Sequence, residues 1–319
     1  MTASVFSEDD DQLHSKGLGD DWWATETSWF SFHNSERKLG GWFYSMFRPN
    51  IGTVAGGAWL WDDSAHLPWE VLYNANYTAL QMDFGVDLRD CELPTGLSIK
   101  VLKPTMDYSL VFNDADRLQT NLTFSGVMPP EPLTSAQSTF GKAKHFDQLG
   151  RVHGTVTLHG EVIPIDCISM RDRTWGRRPE NRPRQAAYVT GASDSDNGFL
   201  AVTSVAEDKE TISFGFLRRE GRTVGFAEGL RLVERDSQEG WVKKVIIEGI
   251  DRDGRKMLAE GTPVSRIIIN RHSFIDINSL IRWNMDGVVA WGEDQDMWPV
   301  HRWSRNRRLR ETTKTVSDS

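Results

Sequence analysis

Cysteine is scarce in this chain: Cys91 and Cys167 are two among 319 residues. They stand far apart in no metal or redox spacing, which excludes a disulfide framework and predicts reduced thiols in an intracellular, cytoplasmic protein. No apolar run reaches the length of a bilayer span, so no integral membrane segment is expected. The acidic opening from Met1 to Asp11 also lacks the basic and apolar regions of a signal peptide. Positive charge is in deficit, with a formal net charge of −8. No nucleic-acid partner is therefore expected, and the locally basic stretch Arg302 to Arg310 reads as part of a frayed tail. Motifs for common chemistry are missing too. No Gly-x-Gly-x-x-Gly follows a strand, and no P-loop or Gly-x-Ser-x-Gly elbow occurs. None of the eight histidines has paired ligand spacing. Nucleotide cofactors, α/β-hydrolase chemistry and metal catalysis are not expected. Asp194-Ser195-Asp196-Asn197-Gly198 lacks the remaining ligands and flanking helices of a calcium loop and reads as a β-turn.

Helical periodicity is scarce as well, whereas strand alternation with turn punctuation recurs, so the expected fold is all-β and antiparallel. The 27 glycines fit it. Asp253-Gly254 and Asp286-Gly287 sit between strand-like runs as tight hairpin turns, with His159-Gly160 a third. Residues 67 to 73 are open between a short helix and a strand entrance. Trp29 to Phe32, a polar turn and Gly41 to Phe47 are echoed by Ala187 to Thr190, a polar turn and Gly198 to Val202. Gly57 to Asp62 and Gly225 to Leu230 would be the third strand of each half. Two β-barrel-like or sandwich-like lobes follow: a flexible N-terminus over 1–20, lobes over 21–140 and 141–303, and a tail over 304–319. Pro129, Pro130 and Pro132 mark the break. A chain of this length buries roughly three quarters of the surface its unfolded form exposes.

The segment Arg171-Asp172-Arg173-Thr174-Trp175-Gly176-Arg177-Arg178-Pro179 concentrates charge where the buried strand pattern Val162 to Met170 ends. Two uses fit an aspartate clasped by arginines: a structural clamp under a packed Trp, or an ionised group beside an aromatic wall. An excess of Trp, 13 in all, favours an apolar cavity but also builds ordinary cores. Glu26, between Trp22-Trp23 and Trp29, is either a carboxylate whose pKa an aromatic setting raises or the partner of an arginine such as Arg171. Trp291 to Trp298 places Glu293, Asp294 and Asp296 between two tryptophans. Turn capping suits them, with Glu293 the functional candidate because it directly follows a strand.

The run His145-Phe146-Asp147-Gln148-Leu149-Gly150-Arg151-Val152-His153-Gly154-Thr155-Val156 leads through Gly160-Glu161 to that segment. With Trp22-Trp23, Glu26 to Phe30, Gly40 to Tyr44 and Arg48-Pro49-Asn50, it resembles the lipocalin-like superfamily of carotenoid 1,2-hydratase (hydroxyneurosporene synthase) and the fungal lipocalin-type Diels-Alderases. The resemblance spans Asp21 to Trp298. It implies two lipocalin-like lobes, no cofactor and an apolar ligand within or between lobes. One departure stands out. Where many relatives read Arg-Asp-His-Ser-Trp-Gly, this chain has Arg173 and Thr174, so a histidine proton route at that position is closed.

The resulting expectation is a cofactor-independent lyase or isomerase/cyclase of secondary metabolism. It would act on a hydrophobic terpenoid, polyene or polyketide-like substrate by hydration, dehydration, isomerisation or cyclisation. Asp172 or Glu26 would move the proton, with Tyr188 a second donor. Trp29, Trp42, Trp59, Trp61 and Trp175 would wall the cavity, Arg173 would orient a substrate oxygen or lower the pKa of Asp172, and Glu293 would contribute to binding. A pericyclase and a non-catalytic lipid or isoprenoid carrier are the rivals.

Overall fold

The computed structural model describes residues 5–14, 21–133, 143–179, 184–206, 209–271 and 274–317. Among the described residues nineteen strands and one α-helix follow in order, with short 3-10 turns at Glu8–Asp11 and Pro49–Ile51. The first part holds β1 (Ala24–Asn34), β2 (Leu39–Arg48), β3 (Thr53–Trp61), β4 (Tyr73–Gln81), β5 (Asp90–Glu92), β6 (Leu97–Lys103), β7 (Asp107–Asp114), β8 (Leu118–Gly126), β9 (Glu131–Pro132), β10 (Lys144–Leu158) and β11 (Glu161–Arg177). The second holds β12 (Ala186–Ala192), β13 (Gly198–Ala206), β14 (Lys209–Arg219), β15 (Arg222–Arg235), β16 (Val242–Asp251), β17 (Lys256–Arg271), β18 (Phe274–Met285) and β19 (Val288–Pro299). The helix α1 (Val300–Ser317) closes the chain. The architecture is all-β and lipocalin-like, as expected.

The first eleven strands form one sheet in the order β4-β3-β2-β1-β11-β10-β8-β7-β6-β5, with β9 beside β10. This sheet curls on itself. Phe43 of β2 stacks on Phe112 of β7 at 6.1 Å, although their strands lie far apart in the sheet order. One core fills the curl, from Phe30, Phe47 and Val54 to Leu110, Leu122 and Phe124. The other eight strands close into a barrel, β12 to β19, around Val189, Phe199, Leu217, Ile247, Ile281 and Trp283. Inside it, buried Arg231 is matched by Glu210, Asp294 and Asp296. Asp294 and Asp296 therefore lie within β19 instead of capping a turn.

A third apolar layer lies between the lobes. The outer face of the first sheet supplies Trp29, Trp42, Trp59, Trp61, Leu149 and Met170; the outside of the barrel supplies Tyr188, Leu200, Val202, Phe216, Ile267 and Ile269. Buried on both sides, these strands are apolar on both faces, as packed sheet layers require. Trp42 Nε1 donates to Glu293 at 2.8 Å and Arg218 donates to the Val127 carbonyl at 3.0 Å, fastening one lobe to the other.

The expected lobe division at 140/141 falls in residues outside the described set, and β10 and β11 beyond it belong to the first sheet. The prolines near 130 mark the short strand β9, which pairs with β10. The sheet changes between Arg177 and Ala186, because β11 must pair with β1 to complete the curl. Residues 5–14, expected to be flexible, hold buried contacts described below. The tail expected at 304–319 is helical through Ser317. Gly225 to Leu230 form the fourth strand of the barrel, not the third; no glycine or proline separates β13 from β14, so their sequence signals run together.

Candidate functional site

Strand alternation divides the charged segment between two environments. Across β1 and β11, Glu26 lies opposite Trp175 and Trp29 opposite Asp172. Arg171, Arg173 and Trp175 enter the curl of the first sheet, whereas Asp172 and Thr174 face the barrel. The arginines therefore do not clasp Asp172. Arg171 is buried among Tyr108 and Phe146, its guanidinium 4.1 and 4.8 Å from their ring centres, and donates to Gln148 at 2.6 Å.

Glu26 shares that inner face. Arg173 donates to its Oε2 at 3.2 Å and to the Gln12 carbonyl at 3.0 Å, and the His14 backbone donates to Oε1 at 2.6 Å. His14 also stacks on Trp175 at 4.2 Å, and Asp11 accepts from Tyr108 and from the Thr105 backbone. Glu26, Arg173 and Trp175 thus bind the N-terminal segment into the mouth of the curl. Three residues expected at the site serve this plug, and Glu26 and Asp172 cannot act on one substrate atom from opposite faces of a sheet.

The face toward the barrel carries a different cluster. His145 and Asp147 alternate onto it from β10, and Asp147 lies directly opposite Asp172 of β11. Tyr188 of the barrel donates to Asp147 Oδ1 at 2.6 Å, and His145 Nε2 meets Asp147 Oδ2 at 3.0 Å. The other ring nitrogen of His145 meets Thr174 Oγ1 at 2.7 Å. Burial opposes protonation of His145, but the neighbouring carboxylate offsets it and the pKa rises. Burial also lifts Tyr188 well above its ordinary value, with Asp147 adding to the effect. The only hydroxyl hydrogen of Tyr188 is committed to Asp147, so this tyrosine positions a carboxylate instead of donating to a ligand.

Asp172 itself is half-buried, yet its Oδ1 is enclosed with no hydrogen-bond partner. Burial pushes its pKa up to about 6, against the pull of His145, Arg178 and Arg271. An orphaned carboxylate oxygen is costly in a fold. Next to it, Trp29 packs edge-on against Tyr188 and Trp42, and Trp42 against Trp59 and Trp61. Glu293 accepts from Trp42 and is pushed by burial up to about 8.

A cleft of about 270 Å³ opens between the lobes beside this layer, walled by Tyr44, Met46, Trp59, Ile269 and Phe274 and by Arg178 and Arg271. A larger groove of about 770 Å³ lies on the barrel where the β14–β15 ladder lapses, lined by Ile212, Leu230, Ile250 and Leu258. Its charged residues, Glu228, Glu248, Lys256 and Asp286, are all exposed. None of the perturbed, buried titratable groups lines either opening, but Asp172 and Asp276 interact through space with Arg271 of the smaller cleft, and that makes it the candidate site.

Trp29, Trp42, Trp59, Trp61, Tyr188, Asp172 and Glu293 thus converge between the lobes. Sequence reasoning missed His145, Asp147, Arg178 and Arg271. The spacing His145-x-Asp147 within a strand, which puts both side chains on one face, was the available signal. His145, Asp147 and Asp172 present ligand atoms within 4.8 Å of one another. His145 and Asp147 are bonded to each other instead of splayed around a common centre, a geometry suited to holding protons.

Comparison with known proteins follows the same division between fold and function. The family model described as "Domain of unknown function (DUF7064)" matches residues 7–297. No curated protein matches the sequence. Among solved structures, kievitone hydratase from Nectria haematococca is similar at TM-score 0.57 and 12% identity, over 93% of this chain and 94% of that one. A candidate AttH from Nitrosomonas europaea gives 0.56 and 12%, over 92% and 97%. CghA solved with Sch210972 gives 0.54 and 12%, over 88% and 92%. At such identities the likeness is one of fold, and it bears out the lipocalin-like fold that the resemblance implied.

Proposed function

We propose, for a chain that belongs to the family of the domain of unknown function DUF7064, a cofactor-independent enzyme that moves a proton on a hydrophobic substrate held between its lobes. Asp172 is the acid/base. The observation that carries this reading is its Oδ1, enclosed and unpartnered on the barrel-facing side of β11, where Trp29 separates Asp172 from Tyr44 of the aromatic cleft and the cleft's Arg178 and Arg271 act on it through space. A pKa near 6 lets one carboxyl both accept and return a proton near neutral pH. Asp147, anchored by Tyr188 and His145, sets the field in which Asp172 titrates, and Thr174 holds the far nitrogen of His145.

The tryptophan layer contributes shape and a polarisable wall for positive charge developing on a carbon skeleton. Hydration, dehydration, isomerisation and cyclisation of a terpenoid, polyene or polyketide-like skeleton all use these parts. That a hydratase and CghA share the fold supports the class without naming the reaction.

The test begins with native mass spectrometry of the purified protein to identify a retained ligand, followed by turnover of that compound or its precursor in D2O. Where the reaction protonates carbon, deuterium should enter the product at a non-exchangeable carbon position, and Asp172→Asn should slow the reaction by about 10²- to 10⁴-fold. Unlabelled product with Asp172→Asn at full rate would instead favour a pericyclase. Recovery of an unchanged ligand after long incubation would favour a carrier.

A further inference from the structure

We propose that the end of the barrel carrying α1 docks on an anionic lipid bilayer, with Arg302 and Arg305 supplying the charge and Trp69 entering the head-group region. This goes beyond the reading above and does not depend on the chemistry of Asp172.

Positive charge is concentrated at this end. The sequence of α1 holds five arginines and a lysine against one glutamate, in a chain whose net charge is −8. No acidic residue occurs between Asp296 and Glu311. One face of the helix is fixed to the barrel. Trp303 packs edge-on against Trp298 with ring centres 5.6 Å apart, and Arg307, one turn on, donates to the Gln238 carbonyl at 2.9 Å and to Glu239 Oε2 at 2.6 Å. With about 3.6 residues per turn, His301 and Arg305 fall on the opposite face. His301, Arg302 and Arg305 are exposed, and Arg302 and Arg305 enter no ion pair among the described residues. The helix carries no apolar stripe that would seat it in a protein groove or among acyl chains, so its contribution is electrostatic.

An aromatic side chain marks the same end. Trp69, in the turn between β3 and β4, is 77% exposed. That turn is tied to the part of the barrel from which α1 leaves. The Ile268 backbone donates to the His66 carbonyl at 2.9 Å, the His66 ring meets Trp241 edge-on at 4.9 Å, and Trp241 closes the turn from Asp236 that receives Arg307. Acids lie here too: Glu70 and Glu234 are exposed, whereas Glu239 pairs with Arg307 and Asp296 with Arg235. An exposed tryptophan beside basic charge suits the head-group region, where the ring lies at the interface and its N–H stays hydrated. A bilayer would meet this end alone, and the acidic remainder of the chain would orient the molecule with its helix toward the lipid. Duplex nucleic acid would engage the arginines and leave Trp69 without a role, which favours lipid.

Sedimentation of the full chain with vesicles tests this, using phosphatidylcholine alone and phosphatidylcholine with phosphatidylglycerol in equal parts. The protein should pellet with the mixed vesicles in about 0.05 M salt, be released in about 0.5 M salt, and stay in solution with phosphatidylcholine alone. Combining Arg302→Gln with Arg305→Gln should weaken binding about thirtyfold, with a melting curve confirming that the variant folds. When the vesicles contain brominated lipid, quenching of tryptophan fluorescence should be strong in wild type and mostly lost in Trp69→Ala. Absence of pelleting with the mixed vesicles overturns the proposal, whether or not duplex DNA retains the protein in a parallel assay. So does equal binding to both kinds of vesicle, unchanged affinity in the double variant, or quenching that survives in Trp69→Ala. None of these readouts involves turnover, so their outcome is independent of the Asp172→Asn experiment.

Discussion

Replacing Glu293 by Gln isolates one buried titration between the lobes. The wild-type carboxyl is buried and accepts from Trp42 Nε1; the amide of Gln offers an oxygen of the same shape to the same donor and cannot ionise. Burial raises the folded pKa from the ordinary 4.5 to about 8. Below the unfolded value both states carry the proton, and the group's contribution to stability is fully present. Between the two values the unfolded chain releases its proton while the fold retains it, so stability is lost as pH rises through about 8. The ceiling on that loss is about 5 kcal/mol. Even a loss of about 1.5 kcal/mol moves a urea midpoint by roughly 0.5 M for an m-value near 3 kcal/mol/M. His145, whose pKa is also raised, loses stability in the same direction. The quantity to follow is therefore the difference between the two proteins, measured by tryptophan fluorescence in urea from pH 5 to pH 9. Glu293→Gln should match wild type at the acid end and exceed it at the alkaline end. A difference that does not change with pH, or that turns against the variant as pH rises, refutes the assignment of a buried proton to Glu293.

Arg173→Met should cost about 3–5 kcal/mol in urea denaturation by leaving Glu26 buried without its cation. Adding Glu26→Gln should recover most of that loss, whereas a catalytic Glu26 would show instead as lost turnover with stability restored. Tyr188→Phe removes the bond to Asp147 across the lobe interface and should destabilise by about 1–3 kcal/mol, while slowing turnover far less than Asp172→Asn; an equal rate loss would make Tyr188 a proton donor after all. Treatment with EDTA followed by desalting should leave turnover and the urea midpoint unchanged. A loss restored by zinc or manganese would show that His145, Asp147 and Asp172 hold an ion.

The hairpins were legible because their turn chemistry is local. His159-Gly160 and Asp286-Gly287 both adopt positive φ, 48° and 85° in the first pair and 50° and 91° in the second, as two-residue turns with a right-handed twist require. The strands around the first-lobe tryptophans were legible for the same reason. What the sequence could not disclose is which face each side chain takes relative to a second layer. Arg171, Asp172 and Arg173 are adjacent in sequence, and proximity suggested a clasp. Period-two alternation sends the middle residue to the barrel and its neighbours into the curl. For Glu26 the reading as an arginine's partner holds, with Arg173 in place of Arg171, on a strand 147 positions away. His145-x-Asp147 shows the reverse, a pattern whose meaning appears only when Asp172 pairs across from it.

The placement of unsatisfied groups argues that the layer between the lobes is kept for a ligand and not for adhesion. A layer selected only to join two lobes would do best with matched apolar surfaces, since each orphaned donor or acceptor costs about 1–3 kcal/mol. Here Trp29 Nε1, Trp61 Nε1, Asp172 Oδ1, Arg271 Nε and Asp276 Oδ1 are all enclosed without a hydrogen-bond partner. Orphaned atoms occur elsewhere too, at Arg173 Nε in the plug and at Arg231 Nε and Asp294 Oδ1 in the barrel, but there the same side chains are held by close ion pairs, Arg173 to Glu26 and Arg231 to Asp294. Donors and acceptors of both signs left unmet on one layer, near a cleft with aromatic walls, are the composition of a surface completed by a ligand that carries polar groups on a carbon skeleton.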